Sequence, residues 1–500
     1  MGEIKNSILT INPPDYKKSI MKGENFYIKF SLFTPDAEAL LIRILHRYLE
    51  KHDILYMKDV LITVLREVIT NGVKANTKRM YFSKKKLDIT KKDDYRSGME
   101  TFKKEVYEEK SEILEEMKMS NLYVQVLFKN SPEKLRIEII NNTPIIEEEL
   151  TKIEARIKKG YLYNDVSESF GDVLDDSEGA GLGLIIAVML LKNAGFSPES
   201  FNITTDKRRT VAQLIIPQKL NRSEFNSKIA DEILKEVEKI PSLPENILEI
   251  QRLCSNPKST IKEISESIKR DPGLTTSILK LANSAGYIVL NKVETIEQAV
   301  KIIGLKGINT LLIASGVQKI MDSRYSRFKA IWDNSYRAAF YAQKIAMHVK
   351  KTGLSQFAYL SALLSDIGKI VLLAIEPEKT NKIKEIAGIK KFEDSTLIEE
   401  ITIGISHSTL GSLICKKWKF NEAFVKTIEF HNRPHIAYEK YRELIYIVYL
   451  AKVFTEIEDN KYRFEVIEKD VLEYFNINNS EDFKMLHGIL LNSYNEQYTV

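Results

Sequence analysis

The chain has 500 residues, 29% of them charged, with 74 Lys and Arg against 69 Asp and Glu. That length exceeds what one hydrophobic core usually fills, so two or three domains are expected. The net charge of +5 comes from interleaved signs, which leaves no basic stripe for nucleic acid. Cys254 and Cys415 lie far apart and form no metal-ligand spacing, which excludes a disulfide framework and a thiolate zinc site. Residues 1–6 hold no apolar signal core, and the longest apolar stretch, residues 184–191, is far short of the roughly 18 needed to span a bilayer. A cytoplasmic protein in a reducing compartment, with no membrane partner, is expected.

Thr34 as cap and Pro35 in the first turn open a helix, with Leu41, Ile44, Leu45, Tyr48 and Leu49 along one face. A second helix is expected over residues 58–76, followed by strands at 79–83, 123–129, 135–141 and 210–216. These predict an α+β domain with helices covering one face of a sheet. Residues 84–120 form a charged insert with ten basic and ten acidic residues, read as a solvated helical excursion with apolar positions that include Phe102, Val106, Ile113 and Met117. Residues 218–228 are polar and aperiodic and read as a linker between domains 1–217 and 229–500. Everything beyond reads helical. Asp271-Pro272 is a helix start, and Thr295 with Gln298 matches a capping box.

Glu67, Asn71, Lys74 and Lys78 form a polar stripe opposite Leu61, Leu65, Val68 and Ile69. Further on, Glu178-Gly179-Ala180-Gly181-Leu182-Gly183-Leu184 feeds into an apolar helix. Glycines there let backbone N–H groups approach phosphate at a helix N-terminus. In chain order, Glu67-x-x-x-Asn71-x-x-Lys74, Ile139-Ile140-Asn141-Asn142-Thr143-Pro144 and Gly179-x-Gly181-Leu182-Gly183 resemble the N box and two glycine boxes of the histidine-kinase-like (GHKL) ATPase domain, over about residues 25–217. The resemblance implies a Bergerat-type α+β sandwich that binds ATP or ADP with Mg²⁺. It implies Asn71 as the Mg²⁺ ligand, Glu67 to orient water if turnover occurs, and Lys74, Asn141, Thr143, Gly179, Gly181, Leu182 and Gly183 around the nucleotide. Residues 159–178, with Gly160 and Gly171, correspond to that family's mobile lid. Two positions depart from the family. Asn141 stands where an Asp accepts from adenine, and Thr143 where a Gly lies beneath the base. His46 and His52 lack a phosphoacceptor setting.

The segments Ile240-Pro241-Ser242-Leu243-Pro244, Arg270-Asp271-Pro272-Gly273, Leu281-Ala282-Asn283-Ser284 and Ile303-Gly304-Leu305 resemble the HDOD domain. So do Trp332-x-x-Ser335, Ser365-Asp366-Ile367-Gly368-Lys369, His407-Ser408-Thr409-Leu410-Gly411, Trp418 and His431-Asn432-Arg433-Pro434. The resemblance implies an all-α relative of the HD phosphohydrolases that signals or scaffolds. Those hydrolases need a helix histidine, a His-Asp pair and a later Asp around a metal. Here Asn334 or Ser335, then Ser365, then Lys452 stand at the missing positions. One carboxylate, Asp366, cannot hold a dication against a lysine. No HD-type metal is expected. Trp332, Asp366, Lys369, His407, Trp418 and His431 are read as structural or partner-binding residues.

The sequence therefore predicts a multidomain bacterial signal-transduction protein. In it, an ATP-binding histidine-kinase-like domain regulates a non-catalytic HDOD domain that meets a protein partner. The alternative is an ATP-dependent protein serine kinase or an ATPase.

Overall fold

A computed structural model of the chain describes residues 9–108, 115–117, 119–130, 134–163, 166–169, 181–217, 228–283, 293–325, 328–390, 395–459 and 462–498. These fall into two compact units, Met1–Phe225 and Asn226–Val500. Of the expected linker, residues 218–227 lie outside the described residues.

The first unit is a six-stranded antiparallel sheet with helices on one face. In chain order it runs β1 (Leu9–Asn12), α1 (Tyr16–Lys22), β2 (Phe26–Phe30), α2 (Pro35–Lys51), α3 (Lys58–Lys84), α4 (Lys92–Glu108), β3 (Val124–Asn130), β4 (Lys134–Asn141), α5 (Glu147–Leu162), α6 (Gly181–Asn193), β5 (Phe201–Thr205) and β6 (Thr210–Pro217). The strand order is β1-β2-β3-β4-β6-β5. Phe26, Ile28 and Phe30 pair with Phe128, Val126 and Val124, so every second residue faces the helices. Leu41, Ile44, Leu45, Tyr48 and Leu49 of α2 fill the other side of this core. Each such side chain contributes about 1.5–3 kcal/mol by leaving water. Thr34 Oγ1 accepts from the Ala37 N–H and starts α2.

Residues 79–83 are not the expected strand but the last turns of α3. The aromatic run that looked strand-like is the helix face that receives α4. Tyr81 donates to or accepts from Thr101 Oγ1 at 2.7 Å and packs edge-on to Phe102, while Phe82 lies against Tyr95. The insert thus packs on the unit through α4, and Met117 is fully buried. The side chain of Val106, and Ile113, lie outside the described residues. Strands β1, β2 and β5 were not foreseen.

The second unit is helical throughout its described residues. It comprises α7 (Lys228–Lys239), α8 (Glu245–Ser255), α9 (Ile261–Lys269), α10 (Pro272–Ala282), α11 (Ile296–Arg324), α12 (Lys329–His348), α13 (Ser355–Leu364), α14 (Ile367–Ile375), α15 (Pro377–Lys390), α16 (Thr396–Ile403), α17 (His407–Lys417), α18 (Glu422–Phe430), α19 (Arg442–Glu458), α20 (Lys469–Tyr474) and α21 (Ser480–Tyr498). Asp271 Oδ1 accepts from the Leu274 N–H at the start of α10, and Thr295 with Gln298 forms a reciprocal capping box at α11. Gly304, at φ +76°, bends α11. Around α12, the helices α13 and α19 pack as the centre of the unit. The spans Ile296–Arg324 and Thr352–Ile375 are long and apolar enough to cross a membrane, but 61% and 78% of their apolar windows are buried within the fold, as in core helices.

Candidate functional site

Two clusters of polar side chains are held by the folds just described. In the first unit, Glu67 and Asn71 sit one turn apart on α3, and the Asn71 amide donates to Glu67 Oε1 at 3.1 Å. The Glu67 carboxylate reaches the first turn of α6. A Cβ built on Gly183 would lie 2.0 Å from its Oε1, so glycine is needed at 183 for this approach. Gly181 and Leu182 open α6 and are buried. Gly179 lies outside the described residues.

Beside this pair, Asn141 at the end of β4 donates its amide N–H to the Gly72 carbonyl on α3 at 3.1 Å. Its own Oδ1 is buried with no partner among the described residues. Thr143 Oγ1 donates to Asn76 Oδ1 at 2.9 Å, and the Thr143 carbonyl accepts from the Thr210 hydroxyl. Asn76 is fully buried and its Nδ2 also lacks a partner among the described residues. An unmet buried amide costs about 1–3 kcal/mol, so such atoms mark places where a ligand or water completes the structure. Sequence reasoning missed Asn76, whose signal was its place one helical turn beyond Gly72 on the face that meets Asn141.

Lys74 is exposed. Lys78, on the same predicted stripe, instead pairs with Glu149 at 2.7 Å, and Arg79 joins it at 3.2 Å. Burial works against the Glu149 charge, but the two cations outweigh it and hold the carboxyl below its usual range. Of the expected lid, residues 159–162 belong to α5 and Val166–Ser169 is a short 3₁₀ turn. Gly160 is not in a loop: a Cβ there would lie 2.7 Å from Val188 Cβ, so the glycine lets α5 close on α6. Residues 164–165 and 170–178, with Gly171, lie outside the described residues.

The second cluster is in the helical unit, where α14, α17, α18 and α19 converge. Gly368, two residues beyond Asp366, packs so tightly on α17 that a Cβ would lie 2.0 Å from the His407 carbonyl oxygen. That approach brings Asp366 Oδ1 to 3.9 Å from His407 Nε2. Lys369 Nζ lies 3.0 Å from Asp366 Oδ1, and Lys452 Nζ from α19 donates to Asp366 Oδ2. Burial works against the Asp366 charge, yet Lys369 and Lys452 hold its carboxyl well below the usual range. Burial likewise works against the Lys369 charge, and Asp366 overrides it to push that ammonium's pKa up.

Both imidazoles are oriented from behind. Glu399 Oε2 accepts from the His407 backbone N–H and from ring Nδ1, each at 2.7 Å. Despite burial, His407 and Lys369 pull the Glu399 carboxyl down to about 2. Asn432 Nδ2 donates to His407 Nε2 at 3.0 Å. His431 Nδ1 donates to the Ile428 carbonyl at 2.7 Å, which leaves its buried Nε2 without a partner among the described residues. Burial, with Lys452 and His407 adding to it, holds the His431 pKa well below its usual value, so the ring is neutral. Sequence reasoning missed Glu399, which no spacing rule ties to His407.

The remaining predicted residues lie elsewhere in this unit. Trp418 Nε1 donates to the Pro241 carbonyl at 2.9 Å and ties α17 to the segment before α8. Trp332 lines a cleft of 960 Å³ with Ile247, Asp271, Lys319, Asp333 and Tyr336. Ser335 is buried, and Asn334 accepts from Arg337.

The HDOD domain matches residues 240–434, which include Trp332, Asp366, Lys369, His407, Trp418 and His431. An uncharacterized protein of Treponema pallidum (strain Nichols) is 31% identical over 445 residues, covering 89% of this chain and 86% of that protein. The chain belongs to the HDOD-domain proteins. The matched 445 residues are longer than either unit, so the similarity extends into both. Among solved structures, an HDOD domain protein of unknown function from Geobacter sulfurreducens is 22% identical, covering 54% of this chain and 95% of that one, with a TM-score of 0.45. A crystal structure from Shewanella amazonensis SB2B is 28% identical, covering 53% of this chain and 97% of that one, with a TM-score of 0.42. The donors gathered around Asp366 fit a metal only in part. Asp366, His407 and His431 bring one ligand atom each within 4.8 Å of one another, but two ammonium groups already hold the only carboxylate among them. As built, the centre does not suit a dication.

Proposed function

We propose that this HDOD protein is a cytoplasmic signalling protein whose first unit binds Mg-ATP or Mg-ADP and whose HDOD unit, without hydrolytic chemistry, engages a protein partner. The observation that supports the nucleotide reading best is the buried Oδ1 of Asn141, which has no partner among the described residues. One N–H of its amide is held by the Gly72 carbonyl, which fixes the amide's orientation and leaves Oδ1 as an acceptor. An acceptor at that position of the GHKL resemblance meets the exocyclic amino group of adenine. Asn76 Nδ2 adds an unmet donor nearby.

The other residues have distinct tasks in this reading. Asn71, whose amide is steadied by Glu67, would hold Mg²⁺ through its oxygen, and the first turn of α6 would receive the phosphates. Bound Mg²⁺ would neutralise phosphate charge. Regulation requires that nucleotide favour one state of the protein over another. The candidate segment is residues 159–178.

The kinase or ATPase reading keeps one observation in its favour, the carboxylate of Glu67 beside Asn71 and Gly183. Both readings meet in one experiment on the full chain. Mg-ADP or Mg-ATP at about 100 times its dissociation constant should stabilise the first unit by about 2.7 kcal/mol, and Asn71→Ala should abolish the shift. No shift at millimolar nucleotide would sink the nucleotide reading. Phosphate release or transfer to Ser that Asn71→Ala abolishes would establish the enzymatic one. Nucleotide-dependent hydrogen exchange within residues 228–500 would mark coupling to the HDOD unit.

A further inference from the structure

The HDOD centre has the supporting shell of a metal site without room for the metal's charge. Metal-binding imidazoles characteristically donate their second ring N–H to a carboxylate or a backbone carbonyl, which fixes the tautomer and aims the other nitrogen at the ion. His407 donates Nδ1–H to Glu399, and His431 donates Nδ1–H to the Ile428 carbonyl. Each ring therefore turns Nε2 toward an Asp366 oxygen, and on His407 an ion would have to displace the Asn432 amide that Nε2 now accepts from. One carboxylate oxygen and two imidazole nitrogens suit a borderline ion such as Zn²⁺ or Co²⁺. The fully buried His431 keeps Nε2 without a partner among the described residues, which hydrogen bonding alone does not explain.

We infer that the Lys452 ammonium is the resident cation of this centre, standing in for a metal ion, and that Asp366, His407 and His431 form a latent Zn²⁺- or Co²⁺-binding site which opens when that ammonium is removed. The ammonium is buried, holds Asp366 Oδ2 and comes from α19, whereas the three donors come from α14, α17 and the end of α18. A metal ion would join those same elements. The side-chain cation does this permanently and needs no metal supply. It cannot, however, lower the pKa of a bound water as Zn²⁺ does, so the centre keeps the cross-link and loses the hydrolytic nucleophile. With the Lys452 ammonium removed, Lys369 remains beside Asp366, but its side chain is 28% exposed and can turn to solvent when an ion takes the carboxylate.

The test uses the full-length protein, stripped of metal and then titrated with Co²⁺, whose visible absorption reports coordination. Wild type should bind far less than one equivalent and show no shift in melting temperature. Lys452→Ala should melt lower than wild type, take up about one Co²⁺ with tetrahedral-type absorption, and regain melting temperature on binding. Lys452→Met, which keeps the buried stem without charge, does the same job if the alanine variant fails to fold. His431→Ala added to either should abolish both absorption and rescue. Stoichiometric Co²⁺ in wild type would overturn the inference, as would both Lys452 variants binding no more Co²⁺ than wild type.

Discussion

The Glu67 carboxylate lies against Gly183, on the spot a side chain at that position would need. Gly183→Ala should therefore force Glu67 aside. The clash costs about 1–3 kcal/mol, partly offset by the roughly 0.5–1 kcal/mol that alanine brings to a helix interior. Because displacing Glu67 also frees Asn71, nucleotide affinity should fall. Chemical denaturation of Gly183→Ala, Glu67→Ala and the double variant checks the pairing: the double should be more stable than the sum of the two losses predicts. Strict additivity would show that the two residues do not meet.

Asn141→Asp restores the residue type that the GHKL resemblance places there, yet it should destabilise this protein. The amide that donates to the Gly72 carbonyl becomes an acceptor facing an acceptor. A loss of about 1–3 kcal/mol in urea denaturation at neutral pH is expected, shrinking in acid as the new carboxyl takes up a proton. Unchanged stability at neutral pH would mean that the Asn141 amide points the other way.

Gly368→Ala should be among the most damaging small substitutions in the helical unit, since its Cβ would meet the His407 backbone rather than a movable side-chain end. A loss of about 3 kcal/mol or more is expected. Gly388 in α15 has open space around it, so Gly388→Ala should instead stabilise by about 0.5–1 kcal/mol. Melting curves of the two variants should move in opposite directions.

Glu458 joins three helices, accepting from Tyr341 and Arg337 of α12, each at 2.6 Å, and from His487 of α21 at 2.7 Å. Burial works against its charge, but His487, Tyr341 and Arg337 prevail and hold the carboxyl below its ordinary range. Folding thus favours the ionised form. That contribution is complete above the unfolded carboxyl pKa of about 4.3 and is lost as the pH falls through the lower folded value. Glu458→Gln should cost about 1–3 kcal/mol at neutral pH, and its stability should fall less steeply than wild type below about pH 4.3. Parallel slopes for the two proteins would show that Glu458 does not titrate differently on folding.

What could be read from sequence was whatever local chemistry decides. The Thr34 cap, the α2 face, the Thr295 capping box and the wholly buried run in α6 each depend on residues within a few positions of one another. Residues 79–83 misled because a short run around Tyr81 and Phe82 fits a strand or a helix face equally well, and packing against α4 decides between them. The clusters were legible in part. Asp366, His407, His431 and Lys452 were picked out by resemblance, whereas Glu399 behind His407 and Asn76 behind Thr143 are placed by tertiary packing. No periodicity encodes a contact across 67 residues.

The recognisable HDOD stretch ends at residue 434, before α19 begins. Lys452, which neutralises Asp366, and Glu458, which secures α12, both lie past that end. At the other end, Lys417 donates to the carbonyls of Val237 and Glu238, ahead of residue 240. The inheritable signature and the self-sufficient folding unit are therefore different lengths of chain. A fragment trimmed to the signature would retain every hallmark residue and still leave Asp366 without one of its two counter-ions.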